Sequence, residues 1–176
     1  MPWQSTGRRS EAEAGCAHYR ASKQRRGEPL TMDEIKIRPA MPGDAAELNK
    51  ALGQLSADMG DEHRATDADV ARFCFGPSPV FHALLAQTGD GTIVGAAAYS
   101  PFFSTVYGAV GIYVSDLWVD DQVRGKRLGQ RLLAAVRAAG LKAWDARFIR
   151  LNVYHDNPRA LAFYMRIGFT AASETQ

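Results

Sequence analysis

The sequence predicts a single mixed α/β domain whose sheet is mostly antiparallel and carries helices on both faces. Three observations predict this class. Short apolar segments alternate with polar residues as strands do, longer segments place apolar residues at helical spacing, and a polar turn at 88–91 joins two strand-like segments as in a hairpin. The chain has 176 residues, of which 46% are hydrophobic and 23% charged, and these values are typical of one globular domain.

The first half of the domain is predicted to contain three strands and two helices. Asp44 and Glu47 form a pattern like a capping box, which marks the start of the first helix. The predicted elements are a strand at 34–38, a helix from 44 to about 59, a short helix at 67–75, and hairpin strands at 81–87 and 92–99.

The second half is predicted to be a strand–helix–strand–helix unit. Its elements are a central strand at 111–119, a helix at 126–143, a strand at 147–154 and a helix at 157–168. In the last helix, Asn157 is a good N-cap, Pro158 suits the first helical position, and Gly168 supplies a left-handed residue at the end. The tail after Phe169 is short, so we expect one sheet edge to be short, or covered by the N-terminal arm or a second subunit.

The composition argues against several classes of protein. No apolar run approaches the roughly 18 residues of a membrane span, and no signal-peptide core follows the N-terminus. Cys16 and Cys74 fit neither a metal site nor a disulfide framework, so we expect no metal and a reducing cytoplasm. Residues 1–31 are polar and basic and form either a native arm or an addition, whereas 32–176 are nearly neutral and form the domain. Without a broad basic face, we expect no binding to nucleic acid.

The segment 116–133 is the most informative part of the chain. An apolar strand ending at Val119 is followed by a basic loop that contains Gly125 and Gly129, and then by an amphipathic helix. This order directs free backbone N–H groups, the positive end of a helix dipole and cationic side chains at one place, which is how proteins bind phosphate or pyrophosphate. The spacing is neither that of a Walker A loop nor that of the dinucleotide fingerprint. Glycines of a strand-to-helix turn and basic residues of a solvated face also account for this pattern.

The segment 147–169 combines a predicted strand with the last helix. Tyr164 follows Asn157 by seven residues, or two helical turns, so their side chains share one face of the helix. A buried tyrosine on a short helix is usually a residue of the hydrophobic core. The residues alone therefore leave two interpretations of Tyr164.

Together the two segments resemble the GNAT superfamily of acetyl-CoA-dependent N-acetyltransferases. Arg124, Gly125 and Gly129 match its loop motif, whereas Arg127 stands where the motif has its middle glycine. The helix motif Asn-x-x-Ala-x-x-Phe-Tyr-x-x-x-Gly-Phe is matched throughout 157–169. From about residue 35 to 169, the chain is also similar to the diamine (spermidine/spermine) branch, although that branch has Glu-Asp where this chain has Ser-Asp at 115–116.

The resemblance implies acetyl-CoA as co-substrate and direct transfer in a ternary complex, without an acyl-enzyme. Tyr164 would protonate the departing CoA thiolate. Asn157 would hold the cofactor near its pantetheine arm, and Ala160 would leave room for it. Pantetheine would pair like a strand along Leu117, Trp118 and Val119, where a free N–H would stabilise the oxyanion. The pyrophosphate would bind the loop residues Arg124, Gly125, Lys126, Arg127, Leu128, Gly129 and Gln130.

The acceptor implied by the resemblance is a protonated amine, so its proton must leave before it attacks the thioester. Asp116 is the candidate for removing that proton or for binding the cation, and a hydrogen-bonded strand aspartate is the alternative. Further candidates for the acceptor pocket are Tyr107, Tyr113 and Ser115, with Asp61 and Glu62 for a second ammonium group.

We therefore expect an N-acetyltransferase for a small cationic amine, such as a diamine, a polyamine or a lysine-like amino acid. The alternatives are the same chemistry on an aminoglycoside or another xenobiotic amine, the acetylation of a protein amine, and a CoA-binding module with little turnover. The diamine branch also implies a homodimer.

Overall fold

The computed structural model describes residues 34–171, so the extension at 1–31 and the tail at 172–176 lie outside the described residues. The described chain forms one five-stranded sheet with strand order β1-β2-β3-β4-β5. The strands are β1 (Lys36–Pro39), β2 (His82–Gln87), β3 (Ile93–Ser104), β4 (Ala109–Val119) and β5 (Phe148–Leu151). The helices are α1 (Ala45–Met59), α2 (Asp67–Phe75), α3 (Leu128–Trp144) and α4 (Pro158–Arg166).

The first four strands pair with their neighbours in antiparallel fashion, and β4 and β5 are parallel. Parallel neighbours need a long crossover, and α3 supplies it. The predicted mixed, mostly antiparallel sheet is therefore confirmed.

Two hydrophobic clusters lie on opposite faces of the sheet, which confirms the prediction of helices on both faces. On one face, α3 contributes Leu132 and Val136 to a cluster that also includes Ile112 and Val114 of β4. On the other face, α1 and α2 pack Leu48 and other small apolar residues around Trp118 and the first strands. Helix α4 lies on the α3 face, where Phe163 and Tyr164 pack against the first cluster. No helix among the described residues is long and apolar enough to cross a membrane.

Helix α1 begins as predicted, but Asp44 does not cap it. Within the described part of the chain, the Asp44 carboxylate accepts hydrogen bonds from the Arg38 guanidinium and from the Met41 N–H, both at 2.7 Å, and not from the first turn of α1. The Arg38 side chain lowers the pKa of Asp44, and the Met41 N–H lowers it further. The capping-box prediction was therefore wrong, because a single turn of 3-10 helix (Pro42–Asp44) precedes α1 and uses this carboxylate.

Two strand ends lie more than two residues from the predicted ones. Strand β3 continues to Ser104 instead of ending at Tyr99, and a turn at 105–108 joins it to β4. Strand β5 has four residues, Phe148–Leu151, where eight were predicted. The alternating residues after Leu151 lack a partner strand within the described chain, because β5 pairs only with the first half of β4.

A half-buried histidine links β2 to the end of α3 and gives the fold a predicted pH dependence. The His82 ring lies 5.0 Å from the Trp144 ring and 5.9 Å from the Tyr99 ring, measured between centroids. Burial lowers the pKa of His82, so the unfolded chain takes up a proton at this residue before the folded chain does. We expect the free energy of unfolding to fall as the pH drops below about 6.5, the pKa of an unperturbed histidine.

Urea denaturation at several pH values checks this expectation, with His82→Gln as the comparison. The variant should lose less stability than wild type between about pH 7 and about pH 5, above the range in which carboxylates of lowered pKa titrate. An equal loss in both proteins would contradict the assignment.

Candidate active site

The central feature of the site is a β-bulge in β4. Along the β3–β4 ladder, the pairing passes from Tyr99 with Val114 directly to Ala98 with Asp116, so Ser115 is an extra residue. The Ser115 hydroxyl donates to the Ala98 carbonyl at 3.4 Å. A bulge of this kind bends its strand and changes the direction of the backbone groups that follow.

The bulge determines what the end of β4 presents to each side. Beyond it, Asp120 donates its N–H to Val94 at 3.0 Å, so by the alternation of an antiparallel ladder Trp118 and Asp116 also bond to β3. The backbone groups of Leu117 and Val119 therefore point away from β3. This end of β4 has polar backbone groups on one edge that no strand covers within the described residues.

That edge is open because β4 and β5 diverge. The two strands pair only from Gly111 with Phe148 to Val114 with Leu151. Strand β4 continues to Val119, about 16 Å further at the rise of an extended strand. An extended molecule can therefore pair with Leu117 and Val119 as a further strand would. Trp118 presents neither its backbone nor its buried side chain to this opening.

The open edge is followed by a loop and by free N–H groups in the first turn of α3, and we call the two together the N–H loop. A 3-10 turn (Asp121–Val123) ends at Arg124, and Gly125 then has φ 80°. The first N–H group of α3 that bonds to the described chain is that of Arg131, which donates to the carbonyl of Arg127 at 3.1 Å. The N–H groups of residues 128–130 are thus available to a phosphate at the positive end of the helix dipole. The Leu128 side chain is buried, so only its backbone can serve such a ligand.

Arg127, the departure from the family motif, adopts the backbone conformation that glycine would favour. Its φ is 63° and its ψ is 15°, which is the left-handed region, and it is the residue immediately before α3. A side chain in this conformation costs roughly 1–2 kcal/mol. The backbone shape of the glycine-containing loop is therefore kept at the cost of local strain.

We predict that Arg127→Gly is more stable than Arg127→Ala by about 1 kcal/mol, although both variants lose the same charge. Alanine keeps the strained Cβ, whereas glycine adopts a positive φ freely. Chemical denaturation of the two variants measures the difference. Equal stability would show that the position is not strained.

Arg124, a second motif residue, is engaged in contacts within the protein. Its Nε donates to the Val119 carbonyl at 2.9 Å. Its two terminal nitrogens form ion pairs with Asp58, near the end of α1, and with Asp121 of the same loop. A phosphate at this loop therefore meets an arginine that two carboxylates already neutralise.

Helix α4 closes the other side of the opening. Asn157 caps it as predicted, since its side chain accepts a hydrogen bond from the Ala160 N–H at 3.0 Å, and Gly168 has the predicted left-handed φ of 98°. Phe163 packs against the start of α3, where a Cβ on Gly129 would lie 3.2 Å from the tip of its ring. A small residue at 129 therefore allows α4 to approach the N–H loop.

Tyr164 is packed by aromatic rings while its hydroxyl stays available. Its ring lies 5.0 Å from the Phe163 ring and 5.5 Å from the Phe169 ring, between centroids. Burial raises its pKa to about 12, so the hydroxyl is protonated at neutral pH. Among residues 34–171 the hydroxyl has no hydrogen-bond partner, and it is not a buried unsatisfied atom, so solvent or a ligand reaches it.

Asp116 lies on the opposite face of the sheet from Tyr164. By strand alternation it shares a face with Trp118, whose side chain packs among α1 and α2, whereas Tyr164 packs on the α3 face. The two candidate catalytic residues therefore approach the opening from different sides. The end of β4 is therefore bordered by Tyr164 on the α3 face and by Asp116 on the α1 face.

The structure brings only some of the proposed acceptor residues to this place. Tyr113 and Ser115 lie on β4 at or next to the bulge. Tyr107 lies in the turn before β4, about 20 Å from the bulge by strand rise, and its ring packs on Phe148 beneath Arg150. Its position separates Tyr107 from the opening.

Three residues connect the walls of the opening: Asp58 and Tyr154, which were not predicted from the sequence, and Asp61, which was. Asp58 contacts Arg124 on the β4 side, and Tyr154 donates to Asp61 at 3.2 Å on the β5 side. Hydrogen bonding to Asp61 raises the pKa of Tyr154. These pairs are 66 and 93 residues apart in sequence, so no local pattern signals them. Among the described residues, no group of three or more His, Cys, Asp or Glu is arranged to hold a metal ion.

Comparison with known families identifies the family of this chain. Residues 48–169 match the sequence profile of the Acetyltransferase (GNAT) family, and the chain belongs to that family. The protein is accordingly an acetyltransferase. The match includes β4, the loop, α3 and α4, which build the site.

Individual relatives carry more specific names. The chain is 26% identical over 154 residues to thialysine N-epsilon-acetyltransferase of Sus scrofa, covering 82% of this chain and 89% of that protein. It is 32% identical over 111 residues to spermidine/spermine N(1)-acetyltransferase-like protein 1 of Homo sapiens, covering 58% of this chain and 16% of that protein. An aminoglycoside acetyltransferase from an uncultured soil metagenomic sample, solved with trehalose, shares the fold with a TM-score of 0.69 and 16% identity, over 82% of this chain and 94% of that chain.

Proposed function

We propose that the protein transfers the acetyl group of acetyl-CoA directly to a primary amine of a small cationic substrate. The observation that carries this proposal is the open edge of β4, where the backbone groups of Leu117 and the N–H of Val119 are free and lead to the free N–H groups in the first turn of α3. One extended ligand with amides along its length and a diphosphate beyond them satisfies both parts. Acetyl-CoA supplies such a ligand and an acetyl thioester.

The residues of the opening have distinct tasks in this proposal. The backbone of Leu117 and the N–H of Val119 pair with the amides of the extended arm, while the Val119 carbonyl stays on Arg124. One of the two N–H groups stabilises negative charge that develops on the thioester oxygen. The N–H groups of residues 128–130 bind the diphosphate, with Lys126 and Arg127 adding positive charge. Asn157 and Ala160 line the α4 side.

Proton movements complete the transfer. Asp116 removes a proton from the acceptor ammonium, directly or through water, or holds that cation, and the neutral amine then forms the new N–C bond. As the C–S bond breaks, the Tyr164 hydroxyl gives its proton to the thiolate. The hydroxyl recovers a proton from solvent or from the amide nitrogen that has just formed. No nucleophilic side chain is needed, and the buried thiol of Cys74, whose pKa burial raises to about 11, takes no part.

The preference for a cationic acceptor rests on carboxylates at the α1 side of the opening. Asp116 lies beside the bulge, and Asp61 lies across the opening on the α1–α2 loop. The names of the relatives from Sus scrofa and Homo sapiens, a thialysine N-epsilon-acetyltransferase and a spermidine/spermine N(1)-acetyltransferase-like protein, agree with an amine of this kind. Ser115 supplies one carboxylate fewer than the diamine branch has, so we propose a diamine or a lysine-like amino acid ahead of a longer polyamine.

The release of free CoA thiol across a panel of acceptors tests the proposal. The panel contains diamines, polyamines, lysine and thialysine, an aminoglycoside, and a peptide with a free lysine. Rapid release with the diamines or the lysine-like amines is the expected result. If only the aminoglycoside or only the peptide supported rapid thiol release, the proposed class of acceptor would be wrong. If the protein bound CoA but released no thiol with any acceptor, it would be a CoA-binding module and not an active transferase.

A further inference from the structure

The end of α1 is joined to both walls of the opening between β4 and β5. Asp58 forms an ion pair with Arg124 of the loop after β4. Three residues later, Asp61 accepts a hydrogen bond from Tyr154, which lies between β5 and α4. A single segment of α1 and its following turn therefore fixes the loop on one side and the chain leading to α4 on the other.

The connection to the loop is made by more contacts than the connection to Tyr154. The Nε of Arg124 donates to the Val119 carbonyl at the open edge of β4. One terminal nitrogen of the guanidinium forms an ion pair with Asp121 and the other with Asp58. A planar guanidinium that has three partners in fixed directions holds them in one geometry. Of the two carboxylates, only that of Asp58 comes from outside the loop.

The α1–α2 turn is itself held against α1. His63 folds back so that its Nδ1 lies 3.1 Å from the Ser56 hydroxyl and its Nε2 lies 2.9 Å from the Asn49 amide oxygen. Asn49 in turn donates to Asp67 at 2.7 Å, and the His63 ring lies over Gly53, where a Cβ would be in ordinary contact at 3.5 Å. The end of α1 and the turn after it, which carry Asp58 and Asp61, are therefore held in place by contacts that do not involve the opening.

We propose that Asp58 is a positioning residue for the cofactor: through Arg124 it holds the phosphate-binding loop at the open edge of β4 in the arrangement that receives acetyl-CoA. This inference rests on the proposed function, because it assigns the loop to the cofactor's diphosphate. Asp58 touches neither substrate nor reacting atoms in this account. It acts by keeping Arg124 on the Val119 carbonyl, so that the strand edge and the free N–H groups of α3 keep a fixed relation.

A direct role of Arg124 in binding the diphosphate predicts the opposite effect of removing Asp58 on the affinity for CoA. If Arg124 left the carboxylates to bind the diphosphate, Asp58 would compete with the cofactor, and its removal would tighten CoA binding. A carboxylate near a diphosphate also repels it. Considered as a charge alone, therefore, the loss of Asp58 would again tighten CoA binding. Only a positioning role makes the loss of this carboxylate weaken it.

Equilibrium binding of CoA to the full chain, measured by calorimetry, decides between these signs. We expect Asp58→Asn to weaken binding by about fivefold, which corresponds to about 1 kcal/mol. Asp58→Glu, which restores a carboxylate, should recover part of the loss. Asp121→Asn is the matched control, because it removes an equal charge from the same guanidinium without cutting the connection to α1. It should bind CoA as tightly as wild type or slightly tighter.

Two further readouts separate positioning from general destabilisation. In an Arg124→Gln background, which has already lost the connection, Asp58→Asn should cause no further loss of CoA affinity. At saturating acetyl-CoA, Asp58→Asn should keep kcat within about twofold of wild type while its KM for acetyl-CoA rises.

Wild-type or tighter CoA binding by Asp58→Asn would overturn this inference and leave the proposed function standing. An equal loss of affinity in the Arg124→Gln background would also overturn it, because Asp58 would then act by another route. If the wild-type chain bound no CoA, the proposed function would fail first, and the inference with it.

Discussion

Tyr164→Phe is expected to lower kcat by about 100-fold or more, which is the contribution of a well-placed general acid. The substitution removes only the hydroxyl, because phenylalanine keeps the ring contacts with Phe163 and Phe169. Since burial holds the pKa of Tyr164 at about 12, the hydroxyl reaches the reaction in its donor form throughout the neutral range. The KM for acetyl-CoA should change little, since the ring and the loop stay in place. Initial rates of thiol release with the preferred amine measure both constants.

Tyr99→Phe provides the matched control for this prediction. Tyr99 is also a buried aromatic residue whose pKa is raised by burial. Its backbone pairs with Val114 beside the bulge, but its ring packs against Trp144, the last residue of α3, at a centroid distance of 6.4 Å. Its variant loses an equivalent hydroxyl and should keep the wild-type kcat. If Tyr164→Phe also kept the wild-type kcat, then water or another group would protonate the thiolate, and Tyr164 would be a core residue.

Asp116→Asn is expected to lower kcat/KM for a diamine by about 10- to 100-fold near neutral pH. The asparagine preserves size and the strand pairing with Ala98 but removes the charge. The two proposed tasks of Asp116 give different kinetics. If it removes the ammonium proton, kcat falls and recovers as the pH approaches about 10, where the free amine is abundant. If it holds the cation, KM for the diamine rises and the loss persists at high pH.

Asp145→Asn is the control for the charge change alone. Asp145 is exposed and lies just after α3 in the left-handed conformation that asparagine tolerates. Within residues 34–171, its carboxylate forms an ion pair with Arg147 alone. Its variant should keep the wild-type kcat/KM. Unchanged kinetics in Asp116→Asn would mean that Asp116 is a hydrogen-bonded strand residue, which is the alternative that the sequence left open.

Much of the fold could be predicted because its signals are local. The apolar runs and polar turn of the β2–β3 hairpin, helical spacing in α1 and α3, and the caps of α4 each depend on a few neighbouring residues. Helix α2 was predicted with its observed bounds, Asp67–Phe75. The errors arose where partners distant in sequence decide the outcome. Strand β5 is short because β4 bends away from it, and Asp44 bonds to Arg38 of β1 instead of capping α1.

The candidate site divides in the same way. The loop and helix motifs identify Gly125, Gly129 and Tyr164 because their spacing is visible along the chain. The extra residue at Ser115 is invisible in the sequence, since only the pairing of β4 with β3 reveals it. The partners of Arg124 are equally hidden, because an ion pair between α1 and a loop 66 residues later leaves no periodic pattern.

The proposed cofactor path makes one structural measurement especially direct: hydrogen exchange of individual amides in the free protein and with saturating CoA. We predict that the amides of Leu117 and Val119 exchange rapidly in the free protein and become protected by CoA, as do those of residues 128–130. The Trp118 amide, which bonds to β3, should be protected in both states. Tight CoA binding that leaves Leu117 and Val119 unprotected would contradict pairing along the open edge of β4.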